Sequence, residues 1–137
     1  MGDPGSQSER AIWKSSEPDK FNESFPVLES WLNKCKKEHS CPTFEPQPLL
    51  RRLLCISNSG PRVKLRLMEQ ESNKRGLYAA LSYCSGLSSD FCTTRGNYHE
   101  YLQSISAWQL PKTISDAVEV ARRLGFSYLW VDRLCII

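Results

Sequence analysis

Three groups of side chains in this sequence are of types that bind ligands or react. The first is Asp132, a carboxylate placed where the apolar run Tyr128-Leu129-Trp130-Val131 ends. Open α/β sheets bind ligands beyond the carboxyl ends of their strands, where the loops diverge, so a carboxylate there is a site candidate. Its structural alternative is to cap the following turn or to pair with an arginine such as Arg133. The second group is Ser82 and Tyr83, near the end of the apolar run that starts at Tyr78. Ser82 is placed to bond a ligand or to satisfy backbone. The two histidines, His39 and His99, lie away from it in sequence. A Ser82–His99–Asp132 relay has no G-x-S-x-G elbow to support it. Cys135 stands among apolar residues, a setting that raises a thiol's pKa and keeps it inert as a nucleophile.

The third group is Cys35, His39 and Cys41. Structural zinc takes four ligands, and this C-x3-H-x-C spacing supplies three, with Cys55 the nearest fourth. Cys35 also falls on the apolar stripe of a helix, so helix-end thiols are the favoured reading and no metal is expected. There is no GxGxxG and no GxxxxGK[ST], so a Rossmann or P-loop phosphate cradle has no support. The formal charge of +3 is a mild excess of 18 basic over 15 acidic residues, spread along the chain. Basic residues do not cluster with interleaved aromatics, and no nucleic-acid partner is expected. No apolar run reaches the roughly 18 residues of a membrane span, and the first residues have no apolar signal-like segment. The six cysteines are therefore expected to be reduced thiols of a cytoplasmic protein.

The elements that position these groups follow from spacing. Residues 1–23 are polar and aperiodic and are expected to form a disordered tail. Residues 24–48 are expected to hold a leader helix and a proline-rich connector. Ser24 is placed to cap the helix, Pro26 to fall in its first turn, and Val27, Leu28, Trp31, Leu32 and Cys35 to form its stripe. Leu49–Ile56 reads as a strand, 57–61 as a turn, and Val63, Leu65 and Leu67 alternate with Arg62, Lys64 and Arg66 as a half-exposed strand. The two runs predict a β-hairpin. Tyr78–Cys84 reads as a strand too apolar on both faces to lie at an edge. A short helix is expected within Asn97–Ala107. Thr113 and Asp116 make a capping-box-like start to a helix with the buried stripe Ile114, Ala117, Val118, Ala121 and Leu124. Gly125 suits the left-handed position that stops it. Phe126–Val131 is then a strand covered on both faces. Strand, helix and strand with short links make an α/β fold.

The motifs in order resemble the HET (heterokaryon incompatibility) domain of fungal proteins. Tyr78–Gly86, with Leu81, Ser82, Tyr83 and Gly86, is similar to that family's strand-and-turn block. Leu110-Pro111 followed by Thr113, Asp116, Ala117, Leu124 and Gly125 is similar to its central helix. Tyr128, Leu129, Trp130, Asp132, Leu134 and Cys135 are similar to its most diagnostic block. Ser85 stands where the family usually has tryptophan. The resemblance covers residues 77–137 strongly and 25–76 loosely, so 49–137 is expected to be the amino-terminal part of such a domain. The implied fold is α/β, a partial three-layer sheet with flanking helices and an N-terminal β-hairpin, distantly similar to TIR domains. The family motif runs on past Ile137, so the chain is expected to be truncated relative to the domain. The implied role is signalling in non-self recognition and programmed cell death, through a protein partner or self-association and without a cofactor. The TIR likeness adds a second implication, hydrolysis of NAD. That chemistry calls for a glutamate, and neither Glu100 nor Glu119 matches a motif. An inactive fragment is the third possibility the resemblance leaves open.

Overall fold

In the computed structural model of the protein, residues 18–40, 45–57, 63–71, 73–83 and 91–137 are described. The chain divides between Pro42 and Thr43 into two units. In the first, a helix (α1) runs from Pro18 to Glu38, 21 residues. The expected start at Ser24 is corrected, and residues 18–23 are helix, not tail. Pro18 explains this: proline at the first helical position has a pre-set φ and would have lacked an intrahelical partner anyway. Pro26 consequently lies inside the helix instead of in its first turn. There it contributes no backbone donor to the turn before it, a local weakness that the remaining turns offset. Val27, Leu28, Leu32 and Cys35 are half-buried along one stripe, and Lys36 and Lys37 occupy the last turn, where cations suit the helix dipole.

The second unit is built on two small sheets. Strand β1 (Gln47–Pro48) pairs antiparallel with β4 (Arg75–Gly76). The larger sheet holds β2 (Arg52–Ser57), β3 (Lys64–Glu69), β5 (Ala79–Ala80) and β6 (Tyr128–Trp130), in the order β3-β2-β6-β5. β2 and β3 form the expected antiparallel hairpin, from Arg52↔Glu69 to Ser57↔Lys64. The expected turn residues 58–61 lie outside the described residues. β6 pairs antiparallel with β2 and parallel with β5.

Register explains the burial. Leu54 faces Leu67 and Leu129, and Ile56 faces Leu65, so these side chains share one face of the sheet. All are buried there with Tyr101 from α2 (Tyr98–Gln103) and Ile114, Val118 and Ala121 from α3 (Lys112–Arg123). The fold is thus α/β, with both helices packed on that face. Leu53 and Met68 are also buried but project to the other face, since each is one residue out of step with the first set. Cys55, Tyr128 and Trp130 share that second face, half-buried, with exposed Lys64 and Arg66. Among the described residues, no helix is long and apolar enough to cross a membrane.

Two expectations need correction. The strand over Tyr78–Cys84 contracts to Ala79–Ala80 and lies at an edge of the described sheet. Beyond the strand, Leu81 and Tyr83 still rest against the core, so their apolarity reflects packing outside the regular strand. The helix start also differs. Pro111 is the N-cap of α3, and no side-chain cap bond forms from Thr113, which is exposed. The Pro111 carbonyl instead accepts from Ser115 N (2.9 Å), and Asp116 pairs with Lys112 at 3.4 Å. Gly125 stops the helix as expected, with φ of 88°, a conformation in which a Cβ is disfavoured.

Candidate functional site

The parallel pair β5–β6 brings two polar segments to one end of the sheet. Both strands run the same way, so their carboxyl ends open together. β5 leads into Leu81-Ser82-Tyr83, and β6 leads into Val131-Asp132-Arg133. Leu81 N donates to Trp130 O (2.9 Å), which carries the parallel pairing one step beyond the strands. Ser82, Tyr83 and Asp132 thus follow the carboxyl ends of two neighbouring parallel strands.

Asp132 opens a short helix, α4 (Asp132–Cys135). Its Oδ1 accepts from Arg133 N at 2.7 Å, so the carboxylate does perform the turn-bracing job. Its other oxygen, Oδ2, has no hydrogen-bond partner among the described residues. Tyr83 lies in the electrostatic reach of this group. Burial pushes its phenol pKa up first, the Asp132 charge pushes it further, and Arg133 opposes both. The phenol is thus neutral near pH 7 and able to donate a hydrogen bond. Ser82 is exposed at the same rim. Together they offer a polar ligand one acceptor and two hydroxyls.

Residues that sequence reasoning missed hold this turn from behind. Thr93 is 5% exposed. Its backbone N donates to Arg133 O (2.8 Å), and its Oγ1 donates to Leu134 O (2.7 Å). A four-residue helix cannot satisfy its own carbonyls, and Thr93 takes two of them. Thr93 is held in turn by a tight local knot. Thr94 N donates to Asn97 Oδ1 (2.7 Å), Asn97 N donates to Thr94 Oγ1 (3.3 Å), and Asn97 Nδ2 donates to Cys92 O (2.9 Å). A Thr-x-x-Asn pair is a recognisable turn signal in sequence, but the reach from Thr93 to Leu134 spans 41 residues and has no local pattern. Leu134 and Cys135 point into the core. Burial is the main cause of the raised pKa of the Cys135 thiol, which keeps it protonated and poorly nucleophilic.

The other candidates fall elsewhere. His99 is exposed on α2 with its ring edge-on to Tyr98 at 5.4 Å. No hydrogen bond joins it to Ser82 or Asp132 among the described residues. Glu100 is exposed on the same helix. Glu119 is half-buried and bound by two arginines, Arg122 (2.6 Å) and Arg123 (2.8 Å). The hydrogen bond from Arg122 is the leading reason its carboxyl is held below the usual range. Cys35 and His39 sit one turn apart at the end of α1, where His39 N donates to Cys35 O (3.1 Å). Cys41 and Gly86 lie outside the described residues. No group of three metal-ligating side chains occurs among the described residues.

Residues 78–137 match the model of the family described as heterokaryon incompatibility protein (HET). The matched segment runs from just before β5 to the end of the chain, so it contains the parallel pair, α2, α3 and the polar turn at Asp132. Over these residues the chain is similar to the heterokaryon-incompatibility domain. No curated protein and no solved structure matches the chain.

Proposed function

We propose that the protein is a cytoplasmic signalling module of heterokaryon incompatibility, acting in non-self recognition and programmed cell death by binding a protein partner or its own kind. The observation that carries this reading is the family match over 78–137, which coincides with the well-packed β5-to-α4 region. Nothing else in the molecule argues as directly for a biological role. The test is inducible overexpression in a fungal host with soluble protein confirmed. Impaired growth is expected. Growth equal to the empty-vector control overturns the reading.

One geometric feature favours a second reading, hydrolysis of NAD. Asp132 and Tyr83 follow the carboxyl ends of the parallel strands β6 and β5, the position at which nucleotide ligands bind in open sheets. A carboxylate there is suited to a ribose hydroxyl or to a developing positive charge. Purified protein incubated with NAD should then release nicotinamide, and Asp132→Ala should abolish the release. No release above a heat-killed control removes this reading and leaves the first intact.

A further inference from the structure

The second face of the sheet carries a groove that the site above does not use. It lies where Gln103–Trp108 passes the outer edge of β3, held there by Ile105 N donating to Leu65 O (2.7 Å). The groove has a volume of about 810 Å³. Its floor is set by the hairpin register. Cys55 faces Arg66, and Ser57 faces Lys64, so the two cations stand on the same face. Trp108 forms a wall and is 83% exposed, an unusual state for so large an apolar ring.

Among the described residues that line this groove, the charge has one sign. Lys64 and Arg66 are its charged lining residues, and neither has an ion pair among the described residues. Their spacing is also informative. They are two residues apart on an extended strand, which separates them by about 6.6–7 Å. Carboxylates two apart on another extended chain have the same repeat. An apolar side chain two positions further on, on the same face, then reaches the Trp108 end. A nucleic acid fits less well, because phosphate-driven binding draws on many cations and the described lining residues offer two.

We propose that this groove docks an extended acidic segment of a protein partner, with two carboxylates on Lys64 and Arg66 and an apolar anchor against Trp108. The inference deepens the interaction-module reading and rests on it for the partner's being a protein. The test is separable from the growth assay, because it measures binding in solution. A fluorescein-labelled peptide with glutamates two apart and leucine two further on is titrated into the full chain and followed by anisotropy. Lys64→Glu/Arg66→Glu should weaken binding roughly tenfold or more, and the matching lysine peptide should bind that variant and not the wild type. Trp108→Ala should cost roughly fivefold or more. All three side chains are exposed, so thermal melts should match wild type. Absence of wild-type binding, or equal binding to the charge-reversed variant, overturns the proposal. Tighter binding of a single-stranded oligothymidylate, lost in the same variant, overturns it in favour of a nucleic acid. Failure of the growth assay with peptide binding intact would refute the signalling role and leave the groove.

Discussion

β2 and β3 are joined by six residue pairs, whereas β5 and β6 share two. The antiparallel half contributes Leu54, Ile56, Leu65 and Leu67 to the core and has alternating exposed cations on its other face. The parallel half contributes Leu129 and Val131 and then turns at the polar pair Asp132-Arg133. Parallel pairing is also slightly weaker per residue than antiparallel pairing. The difference teaches where the molecule keeps its stability and where it keeps its polar groups. A long regular ladder stabilises the unit. A short ladder with side-chain props leaves backbone and hydroxyls available at the strand ends. Thr93 and the Asn97 knot substitute for the ladder that β5 and β6 lack.

This contrast can be broken most forcefully at Leu54, which is 0% exposed between Leu67 and Leu129. Leu54→Ala should destabilise the second unit by about 2–5 kcal/mol, read from urea denaturation, because it leaves a cavity under both halves. An effect near that of a surface substitution would mean the hairpin is not the main support. Thr93→Val should cost about 1–3 kcal/mol, since it removes the donor for a buried carbonyl. Amide exchange at Leu134, Cys135 and Ile136 should speed up while β2 and β3 stay protected. Uniform acceleration in both halves would refute the idea that Thr93 props only the short ladder.

Glu119 tests α3, the helix that packs against β6. Its folded pKa lies below the unfolded one, so its stabilisation is fully present above the ordinary carboxylate range. That stabilisation is lost as pH falls through the folded value. The wild type should exceed Glu119→Gln by less than about 1 kcal/mol at neutral pH, because the pair is partly solvent-screened. The two should converge in acid. The smallest effect is on Tyr83, followed by its ultraviolet titration. Asp132→Asn removes one cause of the raised phenol pKa, so the midpoint should move down. An unchanged midpoint would separate Tyr83 from Asp132 and dissolve the site as described.

Sequence periodicity revealed the elements whose cause is local. Leu65 and Leu67 alternating with Lys64 and Arg66 located β3 and its inward face. Ile114, Val118 and Ala121 identified the buried side of α3, and Gly125 its end. The run Tyr78–Cys84 misled because apolar content reports burial, not hydrogen bonding. Leu81 and Tyr83 pack on the core from beyond the strand, and the ladder reaches no further than the Leu81 N–H among the described residues. At α3 the Thr113 hydroxyl suggested a cap, but Pro111 starts the helix through its carbonyl, a role that leaves no side-chain signal. Asp132 was legible because it terminates an apolar run. Tyr83 stands near the end of another such run. Thr93 was not, since its two bonds to Arg133 and Leu134 depend on a crossing of the chain that only the folded sheet creates.

Cys135 lies directly after the site turn and is buried, whereas Cys35, Cys55 and Cys92 are half-buried. Its thiol meets a solvent-borne alkylating reagent only when α4 lifts from β2. The labelling rate of this one sulfur, resolved by peptide mass mapping, is therefore a stopwatch for opening of the turn that carries Asp132. It needs no engineered probe. Any molecule that settles at the strand ends and holds the turn shut should slow that stopwatch, so a ligand can be sought by its effect on a cysteine it never touches.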